Sequence, residues 1–463
     1  MIKNNQSPLQ PWPGSSADTT RNFLHQILQK HPMPNSNNGK PVSTCPVNRR
    51  QWLASTSAIG AMLVSPHSSF GQFEQTDPPP PREKLPVAAV VTIYTRDTHA
   101  DVIVGKILEG FQQDGGPGPD LRLVSLYVDQ FPQNDLSRSL AAKHGFRICQ
   151  TINEAITFPS EKDQIAGVLS IGEHGNYPYT PDTNQHMYPR RDFFDQIVAG
   201  MTKTGRFVPI FSDKHLSHGW QDAKHMYDTA QRLAIPFMAG SSVPVTHRHP
   251  ATGLPRDRKL EEALVVFYGP LEAYGFHALE GLQCIVEERL GGETGVKAVQ
   301  TLRGKEIWKA QSEGRWSRTL LDAALKAAPE NLADDPDAIL TRKAAFYLLE
   351  YCDGMRATIV MANGLFNQLT FAAKLQDQVE PVATWIQLGS RRPYSHFEFQ
   401  VKAIEHMVHT GRPAYPVERT LLTTGVLDTV MHSLMQHGKR IETPHLDIAY
   451  QSTHWPFANQ PAS

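Results

Sequence analysis

The chain has 463 residues, too many for one ordinary hydrophobic core, so two domains are expected. Hydrophobic residues make up 40% and charged residues 20%, which excludes wholesale disorder, and no apolar run is long enough to span a membrane. Lys plus Arg (45) balances Asp plus Glu (46), a net charge of -1, so no broad basic face for DNA, RNA or anionic lipid is implied. The four cysteines, Cys45, Cys149, Cys284 and Cys352, form no CxxC pair and suggest neither a zinc knuckle nor a disulfide framework. The 20 histidines are many for this length and direct attention to proton-transfer or metal sites.

Residues 1–46 read as a disordered leader rich in Pro, Ser and Asn, broken by one short amphipathic piece at 22–29. Residues 47–85 read as a signal and linker. Arg49 and Arg50 stand before Trp52 and Leu53, an Ala- and Ser-rich apolar stretch runs to Val64, and polar sequence leads into DPPPPREKLP. A positive segment followed by a short, weak apolar one resembles a twin-arginine export signal. The resemblance implies a folded protein carried by the twin-arginine machinery to the periplasm or another extracytoplasmic space. The plainer alternative is a chance arginine pair beside a short helix. The true start is expected nearer Val47, and the folded body is expected to begin near Pro86.

From there the pattern alternates. Strand-like runs at 85–94, 121–129, 166–174, 206–214 and 235–241 are interleaved with helical spacing at 98–111, 135–146, 151–156, 190–205 and 220–234. Gly145 is placed to close the second helix and Thr151 to cap the third against Glu154. Strands and helices in this order predict a doubly wound parallel sheet with right-handed crossovers over residues 86–241. The next part differs. Strand-like runs at 259–269, 295–304, 344–351, 355–364 and 383–389 include a tight turn at Asp353-Gly354, and helical stretches cover 271–289, 395–411 and 423–438. These predict an α+β domain over 242–463 with an open, largely antiparallel sheet. Its C-terminal helices are expected to pack back on the first domain, and a homo-oligomer is expected through its sheet.

Several segments share order and character with one known family. LVSLYVDQ, DLSRSLAAKHGF and TINEAI resemble the second strand, second helix and following loop of the glucose-fructose oxidoreductase and inositol dehydrogenase family. The stretch from FVPIFSDKHLSHGW to PFMAG resembles the segment carrying that family's Glu-Lys-Pro motif, here Asp213-Lys214-His215. MAGSSVPVTHRHP resembles its entry to the second domain, and GFHALEGLQCIV its Gly-x-His-x-x-Asp helix, here Gly275, His277 and Glu280. The resemblance covers nearly all of 86–463. It implies a Rossmann-like domain that binds NAD or NADP, a sugar or polyol between the domains, and hydride transfer. Some members use the twin-arginine route.

The nucleotide loop departs from that family. A dinucleotide site has G-x-G-x-x-G after its first strand, because bare amides must approach the pyrophosphate at a helix N-terminus. Here Tyr94-Thr95-Arg96-Asp97-Thr98-His99-Ala100 fills the place, with no glycine before Gly105. Thr95, Arg96 and Asp97 would line the phosphates, with Arg96 compensating for Asp97; an ordinary loop capped by Asp97 or Thr98 is the alternative. By resemblance, Asp129 would accept bonds from the adenosine ribose and favour NAD over NADP, and the loop holding Gly172 and His174 would lie beside the nicotinamide. A groove filled by Arg96 or His99 would point instead to the alternatives to an oxidoreductase.

By the same resemblance, Lys214 would stabilise a substrate oxyanion, His277 would act as general acid–base, and Glu280, one turn along the helix, would orient the imidazole or bind a hydroxyl. Each also has an ordinary structural reading, as a surface lysine, a satisfied helical histidine and a solvated acid. His174, His215, His218, His247 and His249, with Glu173, lie at predicted strand ends, but no tight ligand motif such as H-E-x-x-H occurs and no metal is expected. Tyr177, Tyr179, Trp220 and Tyr274 are candidates to stack on a sugar ring. The first functional expectation is an exported NAD(P)-dependent oxidoreductase of a sugar or polyol. The alternatives are a lyase, epimerase or hydrolase in the same cleft, or a non-catalytic carbohydrate-binding relative without the dinucleotide site.

Overall fold

The computed structural model describes residues 83–158, 164–251, 253–254, 256, 258–329 and 332–460. The expected leader and the twin-arginine-like segment with Arg49 and Arg50 lie outside the described residues. Six parallel strands open the body: β1 (Leu85–Val91), β2 (Leu121–Val128), β3 (Arg147–Cys149), β4 (Gly167–Ile171), β5 (Ile210–Asp213) and β6 (Phe237–Gly240). Their order is β3-β2-β1-β4-β5-β6, the doubly wound arrangement, with its crevice where the order reverses between β1 and β4. Most of β1 and all of β4 are buried, as central parallel strands covered on both faces must be.

The helices around this sheet are α1 (His99–Glu109), α2 (Ser137–His144), α3 (Ile152–Thr157), α4 (Arg190–Thr204) and α5 (Trp220–Arg232). Their ends follow from local chemistry. Gly145 takes φ 77° and closes α2 through a bond from its N–H to Ala141 O. The Thr151 hydroxyl accepts from Glu154 N at 3.0 Å, and the Glu154 carboxylate accepts from Gln150 N at 2.9 Å, which together fix the start of α3.

The second sheet has eight strands in the order β15-β10-β11-β12-β8-β13-β14-β7. These are β7 (His247–His249), β8 (Leu260–Phe267), β10 (Val296–Arg303), β11 (Ala345–Tyr351), β12 (Arg356–Met361), β13 (Leu369–Leu375), β14 (Val382–Gln387) and β15 (Ile441–Glu442); β9 (Glu293–Thr294) and β16 (Ala449–Tyr450) pair apart. Only β8 and β12 run parallel, so the sheet is largely antiparallel, as expected. The short edge strand β7 and the strand β13, LTFAAKL, were not legible in the sequence.

Helices α6 (Ala273–Val286), α7 (Lys305–Ser312), α8 (Arg318–Lys326), α9 (Pro336–Lys343), α10 (His396–Thr410) and α11 (Val417–Met435) complete the body. α6 and α11 cover one face of the second sheet, packing Phe276, Leu279 and Val426 on Val265, Tyr347 and Ile359. The α7–α9 region, unassigned in the sequence, covers the other face: Ile307, Trp316, Leu320 and Leu321 pack on Leu264, Val266, Phe346 and Val360. The chain's own helices thus supply apolar cover to this face of the sheet. α10 joins the core of the first sheet through Val401, Ile404 and Met407. Among the described residues no helix is long and apolar enough to cross a membrane.

Candidate active site

A cavity of about 1350 Å³ opens between the C-terminal edge of the first sheet and the second. That exceeds the ~300–1,000 Å³ of ordinary small-molecule sites. Its polar wall is built from residues that follow the parallel strands, where such folds place their chemistry.

Lys214 follows β5 directly. Its backbone has φ 69°, and its N–H donates to Gly240 O at 3.1 Å, so a left-handed turn is fastened to the end of β6. For a lysine this conformation is uncommon. From there Nζ meets His277 Nε2, on the first turn and a half of α6, at 2.6 Å. The two side chains, 63 positions apart in sequence, are thus in direct contact. The imidazole accepts from the ammonium, which leaves Nδ1 to carry its proton, buried and unpartnered in the protein. Burial first, and then the Lys214 charge, hold the His277 imidazole neutral, well below its ordinary range.

Five residues frame the pair. Glu173, which follows β4 closely, lies 3.7 Å from Lys214 Nζ and is ion-paired to the buried Arg190. Burial alone would raise the Glu173 carboxyl, but Lys214 and Arg190 outweigh it and hold the group below the usual carboxylate range. Arg190 donates to His215 Nε2 at 3.0 Å. On the opposite side, His99 on the first residue of α1 meets Asp213 at 2.7 Å. Asp213 is fully buried, and burial pushes its carboxyl up to about 7, while burial and then Lys214 push the His99 imidazole well below its range.

Glu280 is a correction. It does not line the cavity and makes no bond to His277. Its carboxylate accepts from Ser241 N at 3.1 Å and Thr423 Oγ1 at 3.2 Å, tying α6 to the segment after β6 and to α11. Three residues advance about 300° round a helix, so the two side chains diverge by about 60°, enough to put one on the cavity and the other in the interior. Burial raises the Glu280 carboxyl to about 7.

The expected cofactor residues are engaged with the chain itself. Thr95 is buried and its carbonyl accepts from the Thr98 hydroxyl at 2.7 Å. Arg96 is exposed. Asp97 has φ 64°, and its N–H donates to Asp101 Oδ2 at 2.9 Å. Asp129 accepts from the Tyr127 and Tyr177 hydroxyls at 2.8 and 2.7 Å. A Cβ on Gly172 would stand 2.7 Å from Arg190 Cγ, so Arg190 packing demands this glycine. His174 lines the cavity at φ 68°, its ring 5.4 Å from that of His99, with Nε2 buried and unpartnered. No bare phosphate cradle is present at the start of α1, and the residues there do not fit a dinucleotide in the position the fold assigns to it. Among the described residues, no three His, Cys, Asp or Glu side chains are grouped to hold a metal ion.

Arg190, central to this geometry, was not legible as a site residue: it reads as one of an arginine pair at a helix start. His99 was legible only as a group to fill the groove; it is the first residue of α1, bonded to Asp213. The aromatic wall is partly as expected. Tyr179 and Tyr274 line the cavity with Trp385, whereas Tyr177 is turned to Asp129 and Trp220 packs in the core.

No protein-family model matches the chain, and no curated protein matches it significantly. Solved structures do. GenD2 from gentamicin A biosynthesis, solved in complex with NAD, is similar with TM-score 0.51 and 14% identity, over 78% of this chain and 97% of that one. A myo-inositol dehydrogenase from Corynebacterium glutamicum is similar with TM-score 0.47 and 12% identity, over 78% of this chain and 98% of that one. The likeness to GenD2 is one of fold.

Proposed function

We propose that this chain is an exported enzyme that acts on a sugar- or polyol-like molecule in the cleft between its two sheets, by proton transfer at a substrate hydroxyl. The observation that carries this reading is the contact of Lys214 Nζ with His277 Nε2 on the cavity wall. Once the ammonium turns from Nε2 to the substrate oxygen, the freed Nε2 lone pair can take the hydroxyl proton while the ammonium holds the oxygen as charge develops on it. Glu173, itself ion-paired to Arg190, keeps Lys214 in place by charge, and Tyr179, Tyr274 and Trp385 offer ring faces to the apolar side of a sugar. His99, oriented by Asp213, is a second imidazole on the same cavity.

The pair serves a lyase, epimerase or hydrolase without any hydride acceptor, and the engaged loop at 95–98 favours that group of reactions. An NAD(P)-dependent oxidoreductase is the second reading, supported by the family resemblance and by a fold shared with a protein solved with NAD. The test is turnover of a panel of aldoses, polyols and sugar acids followed by NMR, with and without NAD and NADP. His277→Ala and Lys214→Ala are expected to lower turnover by roughly 10²-fold or more with the fold intact. Undiminished turnover in both variants removes this site.

A further inference from the structure

In a doubly wound sheet a dinucleotide lies along the crevice at the strand switch, its phosphates at the N-terminus of the first helix and its adenosine ribose at the end of the second strand. In this chain both places are taken by the chain's own groups.

At the start of α1, Asp97 N–H donates to Asp101 Oδ2 at 2.9 Å, so an amide that would face a phosphate faces a carboxylate instead. Arg392, from the loop before α10, ion-pairs with Asp101 and stands 3.6 Å from Asp97. The loop is anchored there by Lys106, a fully buried residue of α1 whose Nζ donates to Pro393 O at 2.7 Å and Phe111 O at 2.6 Å. Phe397 then sets its ring edge-on against His99 at 5.1 Å. A helix N-terminus with two carboxylates and one guanidinium has already met its own demand for negative charge. A pyrophosphate would have to displace Arg392 and stand beside Asp97 and Asp101.

At the other end, Asp129 holds the Tyr127 and Tyr177 hydroxyls. Gln130 and Asn176 bond reciprocally, Gln130 Nε2 to Asn176 O at 3.1 Å and Asn176 N to Gln130 Oε1 at 2.9 Å. Gly175 takes φ 100° between them, and a Cβ there would stand 2.8 Å from the Tyr177 ring. The loop after β4 is thereby latched onto the end of β2.

We infer that the Asp97–Asp101–Arg392 cluster and the Tyr177–Asp129 latch stand in place of a dinucleotide, so that the cleft works without NAD or NADP. The groove that would hold the cofactor is a joint between the first sheet and the loop before α10. This rests on the same cleft as the function proposed above, but its test reads nucleotide binding rather than turnover, so either can fail alone.

The experiment titrates the full chain, shown by a cooperative thermal transition to be folded, with NAD+, NADH, NADP+ and NADPH in turn. Calorimetry follows all four titrations to about 1 mM, and nicotinamide fluorescence follows those of NADH and NADPH. Mass spectrometry of natively purified protein checks for retained cofactor. The expected result is no saturable binding of any of the four and no co-purified dinucleotide. Saturable binding of any one, or a retained dinucleotide, overturns the inference. Full occupancy by retained cofactor, which would mask a titration, is read directly in the mass spectrum and counts against it.

Discussion

Replacing Glu280 with glutamine separates a residue that supports the site from one that acts in it. In the folded protein burial moves the Glu280 carboxyl from its ordinary 4.5 to about 7. In the unfolded chain it titrates at the ordinary value. Between those two pH values the folded state keeps a proton that the unfolded state has released, so stability is greatest at the acid end and is lost as pH rises through the window. A displacement of that size corresponds to about 3 kcal/mol at ~1.4 kcal/mol per pH unit. Glutamine keeps the shape and the acceptor for Ser241 N but has no proton to lose. Glu280→Gln is therefore expected to gain about 3 kcal/mol over the parent between about pH 4.5 and about pH 7.5. With an unfolding entropy of ~2 cal/mol/K per residue over about 380 residues, that is a rise of about 4 °C in relative Tm. Scanning calorimetry of both proteins across the window reads it. Turnover in the cleft should change by no more than about 3-fold, since the side chain lies outside the cavity. A melting difference constant from pH 4.5 to 7.5, or a loss of turnover like that expected for His277→Ala, would refute the reasoning.

Three other outcomes follow from the geometry. Arg392→Ala leaves the Asp101 carboxylate, whose side chain is 4% exposed, without its counter-ion; the expected cost is about 1–3 kcal/mol in urea unfolding, smaller in the Arg392→Ala, Asp101→Asn pair, and equal costs in the two proteins would contradict the ion cluster. Trp316→Ala empties the core under α7–α9 and should cost about 3–5 kcal/mol, read as a lower urea midpoint; a change under about 1 kcal/mol would show that these helices do not close the sheet. For export, a fusion of residues 1–85 to a folded reporter should leave the cytoplasm, and changing Arg49 and Arg50 to lysine should retain it; unchanged export in the double variant defeats the twin-arginine proposal.

The parallel sheet was legible because burial on both faces writes itself as apolar runs, as in β1 and β4, and because Gly145 and Thr151 mark helix ends by chemistry that acts within a few residues. Lys214 and His277 were found through two motifs 63 positions apart, one after a strand and one on a helix. What escaped depends on the folded arrangement. Arg392 reaches Asp101 across 291 positions, and Tyr177 reaches Asp129 across 48, with no periodicity to announce either. Glu280 was misassigned because spacing along a helix places two residues on roughly one side, whereas 60° of rotation decides between cavity and core. The α7–α9 region was passed over although it joins β10 to β11, two strands that pair with each other.

The covered second sheet also bears on how the protein responds to dilution. A sheet whose apolar face waits for another subunit is fully folded only above the concentration at which subunits meet, and its measured stability moves with that concentration. Here Ile307, Trp316, Leu320 and Leu321 supply that partner from within the chain. The cover is always present at the same effective concentration, tethered at both ends, so dilution does not remove it from Leu264, Val266, Phe346 and Val360.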